Sequence, residues 1–418
     1  LTNPIADRLA EATAESGVDA LGPLRLLVDG TRPWASAFPA QDDVVRAHAI
    51  APQRDDTPLI CYWTSGTTGD PKGVVHDQRL VRNVWHWTTD VMGYTHADVL
   101  VSTRPFYYIS GSCWSMLGSL IHGATLVIAQ RFDDAELLDL LAGQGATVML
   151  GGQSLYYTLL DSPLFAEYRN RFRLRTGFFG GTSVKPDFVT TVKERFGMAS
   201  IVQVYGMTEL LGFATSTSRT DPDDVTTNTV GRPLPGFEFS LRRLDDPRAE
   251  ITDVDTPGEL WVRGNVLAGY LRDGVITDAC DADGWFATSD VLSRGADGNW
   301  AFHSRIRDMV KVRGENVLLS EVDDALDAVP GVRRGVTFGI EDARDWHVEA
   351  MVEADGSREL TAAEVIAYCR DHLAPHKVPT AVWFLPAGTD WPVTVSGKVR
   401  RRELAVIAAG LGGTAGRG

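Results

Sequence analysis

The stretch "TSGTTGDPKG", Thr64 to Gly73, crowds five donor side chains around three glycines. Thr64, Ser65, Thr67 and Thr68 carry hydroxyls and Lys72 a compact ammonium, while Gly66 and Gly69 let backbone N–H groups approach a ligand closely. A loop of this kind after an apolar run, here "PLICYW", suits an anion, phosphate above all. Its spacing is not that of the common nucleotide loop, G-x-x-x-x-G-K-[ST]. Five positions after Gly66 stands Pro71, and five after Gly69 stands Val74. The loop is therefore a phosphate cradle of another kind, or a solvated turn. A turn accounts for glycine and proline but not for so many donors together.

Other side chains with chemical potential follow. Glu209 lies in "VYGMTE", directly after the apolar run "SIVQV", where a strand end can open a crevice. Asp290 closes "GWFATSD", Arg305 and Arg307 stand in "SRIRDMVKVRGENV", and Lys398 lies in "PVTVSGKVRRREL". Taken singly, each has a plain reading: a surface carboxylate, a turn cap, a domain linker, a solvated basic run. The glycines of "FFGGTS" (178–183) are equally common in simple turns.

The elements that must position these groups are legible in outline. A chain of 418 residues holds two or three domains. Short apolar runs alternate with helical patterns from "LICYW" to "IVQVYG", as in a mostly parallel sheet covered by helices. Within "RLVRNVWHWTTDVM" the helical stripe reads Val81, Val84, Trp85, Thr88 and Met92, and one tryptophan of Trp85-His86-Trp87 faces the core while His86 faces outward. After about Asp221 the texture turns to β, and from Asp308 a smaller α+β segment follows, with a capping box at Thr361–Glu364. The tail "GLGGTAGRG" reads as unstructured.

Composition narrows the function. A net charge of −15 argues against nucleic acid or an anionic membrane as partner, and leaves a small anionic ligand open. The four cysteines and nine histidines show no metal-ligand spacing, so reduced, buried cysteines are expected and no zinc or haem site. No apolar run nears the roughly 18 residues of a membrane span. The start, "LTNPIADRLAEATAESG", lacks the basic and apolar regions of a signal peptide, and a cytoplasmic location is expected.

Taken together and in order, the five stretches "TSGTTGDPKG", "VYGMTE", "GWFATSD", "SRIRDMVKVRGENV" and "PVTVSGKVRRREL" resemble the acyl-adenylate-forming superfamily. It includes acyl-CoA synthetases, aryl-CoA ligases, adenylation domains of peptide synthetases and beetle luciferases. The resemblance spans about residues 58 to 405. It implies an α/β fold: a large N-terminal domain of mostly parallel sheets with a β-rich subdomain, and a small mobile α+β C-terminal domain. The expected boundaries are 1–57 for a remnant of the first subdomain, 58–306 for the ATP- and acyl-binding domain, and 307–418 for the small domain. By the same resemblance Thr64, Ser65, Gly66, Thr67, Thr68, Gly69 and Lys72 hold the β- and γ-phosphates of ATP. Gly180, Gly181 and Thr182 lie nearest the base, Tyr205 packs on adenine beside Gly206 and Met207, Thr208 meets phosphate, and Glu209 binds Mg²⁺. Asp290 and Arg305 take the ribose hydroxyls, Arg307 is the pivot of the small domain, and Lys398 is the catalytic lysine.

The implied reaction joins a carboxylic acid to a thiol: ATP activates the acid as an acyl-adenylate, and coenzyme A then accepts the acyl group. Transfer to a carrier-protein phosphopantetheine is the alternative, and a non-catalytic nucleotide-binding regulator is an alternative of another class. Departures bear on the acid. "RPFYYISG" has Tyr108 where a histidine is frequent, and "PFYYISGSCW" has no acid to pair an α-ammonium, which argues against an amino acid substrate. Tyr107, Tyr108, Trp114, Phe178, Phe179 and Phe213 instead suggest a pocket for a fatty, alicyclic or aryl acid. A homodimer is left open.

Overall fold

The computed structural model describes residues 56–64, 72–129, 133–180, 184–313, 315–341, 346–386, 388–393, 399–411 and 416–417. The described chain opens with a hairpin, β1 (Pro58–Thr64) and β2 (Lys72–Asp77), whose antiparallel register ends at Thr64↔Lys72. "LICYW" is thus no member of the parallel sheet: the glycine-rich loop joins two antiparallel strands. Helix α1 (Arg79–His86) continues into a π-helical turn, Trp87–Val91.

The central sheet follows. Strands β3 (Val99–Ser102), β4 (Thr125–Ile128), β5 (Val148–Leu150), β6 (Thr176–Gly180) and β7 (Val202–Tyr205) run parallel in the order β4-β3-β5-β6-β7. Strands β8 (Thr215–Ser216) and β9 (Arg232–Pro233) extend it antiparallel. Alternate residues feed two separate cores. Val148, Leu150, Phe178, Val202 and Val204 pack on one face, while Met149, Phe179 and Ile201 pack on the other with α3 (Asp134–Gly143), α4 (Gln153–Asp161) and α5 (Phe188–Phe196), counting Gly118–His122 as α2. Both faces are covered, which is why these strands read as continuous apolar runs.

The turn-rich region gives β10 (Phe237–Arg242), β11 (Glu250–Ile251), β12 (Gly258–Gly264), β13 (Gly269–Arg272), β14 (Val275–Thr277), β15 (Phe286–Arg294) and β16 (Trp300–Arg305). Five of these form the sheet β11-β10-β12-β15-β16, while β13 and β14 join the opening hairpin as β1-β2-β13-β14. A single 3₁₀ turn, Ile306–Asp308, leads into the smaller α+β part. There the hairpin β17 (Met309–Val312) and β18 (Glu315–Leu318) precedes α6 (Leu319–Asp327), and β19 (Val332–Glu341), β20 (Trp346–Ala354) and β21 (Ala381–Phe384) form a sheet backed by α7 (Ala362–His372) and α8 (Arg401–Gly410). The capping box holds: Thr361 accepts from the Glu364 N–H and Glu364 reaches back. The tail reading needs correction, since Gly416–Arg417 pairs with β21.

The α1 stripe also differs from its sequence reading. Val84, Thr88 and Met92 are buried as expected, but Leu80, Asn83 and Trp87 share that side, Val81 is half-buried and Trp85 is 44% exposed. A buried asparagine disguised the pattern, and its amide donates to the Phe213 and Leu211 carbonyls.

One polar knot ties the sheet together. Asp98, ahead of β3, takes two bonds from Arg175 at 2.8 Å each, one from the Thr147 hydroxyl and one from the Thr95 N–H. Burial alone would raise its pKa, but Arg175 and these donors outweigh it and hold it down to about 2. An acid depressed in this way stabilises the fold above its unfolded pKa near 4 and loses that contribution as pH falls towards 2. Asp98→Ala is therefore expected to cost about 2–3 kcal/mol at pH 7, and denaturant melts should show that gap closing between pH 4 and pH 2.

Candidate active site

The first group of candidate residues is assembled at strand ends. Tyr205 closes β7, and its hydroxyl donates to Asp290 Oδ2 at 2.9 Å. Asp290 on β15 stands opposite Arg305 on β16, with Asp290 Oδ1 3.2 Å from Arg305 Nε. Asp290 is 1% exposed. Ser289 beside it takes φ 58°, an uncommon backbone for a non-glycine residue, and a bulge against β12 lies here; bulges of this kind aim side chains at functional sites. Burial, and then the neighbouring Asp290 carboxylate, push the Tyr205 phenol far above its ordinary pKa, so it stays a neutral donor.

Gly206 to Phe213 form the loop between β7 and β8. Ala214 N–H donates to Tyr205 O at 2.9 Å, and the Leu210 and Gly212 N–H groups both donate to Met207 O. The loop is so tight that a Cβ on Gly206 would stand 2.0 Å from Gly212 O. Gly180 at the end of β6 is constrained in the same way, since a Cβ there would meet Val204 O at 2.4 Å. Thr208 and Glu209 sit in the 3₁₀ turn at the outer end of this loop.

The second group of candidate residues approaches through the four-stranded sheet. Thr64 and Lys72 face each other at the loop end of the hairpin, with the Thr64 hydroxyl 3.4 Å from Lys72 O. Strand β13 pairs with β2 and brings Tyr270 alongside. The Tyr270 hydroxyl donates to Glu209 Oε1 at 3.2 Å, and the Lys72 ammonium lies 5.3 Å from the centre of the same ring. Lys72 and Glu209 thus meet on one tyrosine that sequence reading passed over. Its stretch, "LAGYLRDG", carried no signal beyond an aromatic in a β-rich region. His76 on β2 was also missed. It is fully buried, Tyr62 lies 5.8 Å away ring to ring, and burial lowers its pKa to about 4, which keeps it neutral.

The aromatic candidates divide. Trp114 and Phe213 stack at 4.0 Å, with Trp87 edge-on to both and Phe178 5.1 Å from Phe213. Phe179 departs from its expected place in the acyl pocket. Successive strand residues face opposite sides, so it packs against Phe188 in the other core. Tyr107 is 68% exposed and Tyr108 38%, their rings 4.6 Å apart. Arg307 is exposed in the turn after β16. Ser65, Gly66, Thr67, Thr68, Gly69, Gly181, Thr182 and Lys398 lie outside the described residues, as do nearly all of 1–57. The flanks of the Lys398 segment are described: Val393 and Val399 pair antiparallel, and Arg401 at the start of α8 binds Asp323 at 2.6 Å.

Glu209 is a fitting partner for a hard cation. Among the described residues no cluster of three or more His, Cys, Asp or Glu could hold a metal alone, and no donor reaches Glu209 Oε2. Mg²⁺ commonly takes one carboxylate and completes its shell with phosphate oxygens and water. Among the described residues no helix is long and apolar enough to cross a membrane.

Comparison with known proteins agrees with this geometry. Residues 6–271 match the family profile of AMP-binding enzymes, and 321–398 match the AMP-binding enzyme C-terminal domain. The chain is 30% identical over 352 residues to the putative acyl-CoA synthetase YngI of Bacillus subtilis, covering 84% of this chain and 63% of that protein. It is 34% identical over 364 residues to the 3-[(3aS,4S,7aS)-7a-methyl-1,5-dioxo-octahydro-1H-inden-4-yl]propanoyl:CoA ligase of Mycobacterium tuberculosis, covering 86% and 68%. The crystal structure of ATP-bound MatB from Rhodopseudomonas palustris superposes with a TM-score of 0.76 at 27% identity, over 86% of this chain and 70% of that one. The chain therefore spans about two thirds of the length of these relatives. It belongs to the AMP-binding enzyme family, the acyl-adenylate-forming superfamily that its motifs resemble.

Proposed function

We propose that the chain activates a carboxylic acid with ATP and passes the acyl group to coenzyme A. The observation that carries this reading is the convergence of Lys72 and Glu209 on Tyr270, with Tyr205, Asp290 and Arg305 gathered at the neighbouring strand ends. One group suits phosphates and a cation, the other a nucleoside. In the first step the acid's carboxylate oxygen attacks the α-phosphorus, an O–P bond forms, and the α–β bridge breaks to release pyrophosphate. Glu209 would hold Mg²⁺, whose charge offsets that of the leaving group; Lys72, Thr64 and the loop between them bind the phosphates. Thr208 meets phosphate, Gly180 to Thr182 and Tyr205 to Met207 frame the base, and Asp290 and Arg305 hold the ribose. Lys398, carried by a lid of residues 307–418 that pivots at Arg307 on the domain 58–306, brings the two anions together. In the second step the thiol attacks the acyl carbonyl and AMP leaves.

The acid we infer is an apolar one. Trp114, Phe213, Phe178 and Trp87 form an uncharged aromatic wall beside the Gly206–Phe213 loop. The names of the relatives speak of acyl-CoA ligases, one of them for a keto-bearing bicyclic propanoate, which favours coenzyme A over a carrier-protein arm. The test is ATP–pyrophosphate exchange over fatty, alicyclic and aryl acids, followed by thioester formation with coenzyme A or holo-carrier protein. ATP binding without exchange for any acid would overturn the reading in favour of a nucleotide-binding regulator.

A further inference from the structure

Tyr270 touches both charged ends of the phosphate site, and its placement is fixed from three sides. The Leu267 N–H donates to the Glu209 carbonyl at 2.8 Å, so the chain entering β13 is tied to the residue it serves. The Ala268 N–H donates to Val75 O at 2.8 Å, and Tyr270 then pairs with Val74 on β2. The phenol lies between the strand that begins with Lys72 and the turn that holds Glu209. Its ring face, the negative side of an aromatic quadrupole, meets the ammonium, and its positive hydroxyl edge meets the carboxylate. Among the described residues Lys72 and Glu209 form no direct ion pair with each other.

We propose that Tyr270 is a positioning residue that presets Glu209 for the cation delivered with ATP. Its hydroxyl occupies Oε1 and orients Oε2 outward, while its ring seats Lys72 so that the two opposite charges do not collapse onto each other. A carboxylate steered by a neighbouring donor binds its metal in one geometry, and removing such a donor commonly weakens metal binding about 10-fold or more. The inference rests on the proposed binding of Mg·ATP at this site and does not require that the bound acid be known.

The test is calorimetry of ATP binding to the full chain as Mg²⁺ is titrated from zero, for the wild type, Tyr270→Phe, Glu209→Gln and the double variant. Phenylalanine keeps the ring for Lys72 and removes only the hydroxyl. The Mg²⁺ concentration that half-maximally strengthens ATP binding is expected to rise about 5- to 20-fold in Tyr270→Phe, with Mg²⁺-free ATP affinity within about 2-fold of wild type. In the Glu209→Gln background the same substitution should add nothing, since the partner it acts through is gone. An unchanged Mg²⁺ midpoint in Tyr270→Phe, an equal loss with and without Mg²⁺, or a full additional loss in the double variant would each overturn the proposal. Pyrophosphate exchange measured on the same wild-type preparation separates the two ideas: its absence with every acid sinks the ligase reading, while the Mg²⁺ comparison still decides the role of Tyr270.

Discussion

Lys398→Ala should lower ATP–pyrophosphate exchange by about 10²–10³-fold while ATP binding stays within a few-fold of wild type. The two reactants are anions, and two unit charges about 4 Å apart at an effective dielectric near 20 repel by roughly 4 kcal/mol. A cation placed between them removes most of that, and each 1.4 kcal/mol is a factor of 10 in rate. The substitution should not unfold its surroundings. The segment is closed by the Val393–Val399 pair and the Arg400 N–H to Pro392 O bond at 2.7 Å, and is anchored by Arg401 on Asp323. The proposed nucleotide contacts fall on other residues, so ATP affinity is expected to survive. Supplying preformed acyl-adenylate with coenzyme A checks the proposed lid directly: thioester formation should remain near the wild-type rate, because the proposal gives the lysine no part in the second step. Full exchange in the variant would remove Lys398 from the mechanism.

Gly206→Ala should cost about 100-fold in exchange, more than its effect on stability suggests. The added Cβ would stand 2.0 Å from Gly212 O and 2.7 Å from Phe213 Cα, both backbone atoms that cannot rotate away. The two arms of the β7–β8 loop must part by about 1 Å, and a shift of that size at a catalytic group can cost about 10²-fold. Thr208 and Glu209 ride on the displaced turn. Gly197→Ala is the control: φ is +70° there, but its Cβ meets nothing within 4 Å, so it should lose some stability and leave the chemistry alone. Crystal structures or exchange assays giving wild-type behaviour for Gly206→Ala would show that the turn is less constrained than its contacts indicate.

Much of this was written locally in the chain. The parallel strands announced themselves because both their faces are buried, and motif order singled out Tyr205, Asp290 and Arg305, which come together only when β15 and β16 pair beneath the end of β7. Other features hid for physical reasons. β1 read as a strand of the parallel sheet because an apolar run carries no sign of pairing direction, and β2 was not read as a strand. Asn83 was missed on the buried side of α1, because its burial depends on carbonyls far along the sequence. Tyr270 reaches Glu209 across 61 residues through a register that only the folded sheet supplies. Phe179 was misplaced because adjacent aromatics were read as one wall, whereas a strand sends them to opposite sides.

That last alternation has a practical bearing on redesign. Phe178 and Phe179 are neighbours in the gene, yet one belongs with Trp114 and Phe213 and the other with Phe188, Val189 and Phe196. Under the proposed apolar-acid reading, a mutagenesis library that varies 114, 178 and 213 together probes what the protein accepts without touching the second core. Position 179 belongs outside that library, since a change there disturbs the packing against Phe188 in the other core and bears on nothing in the first.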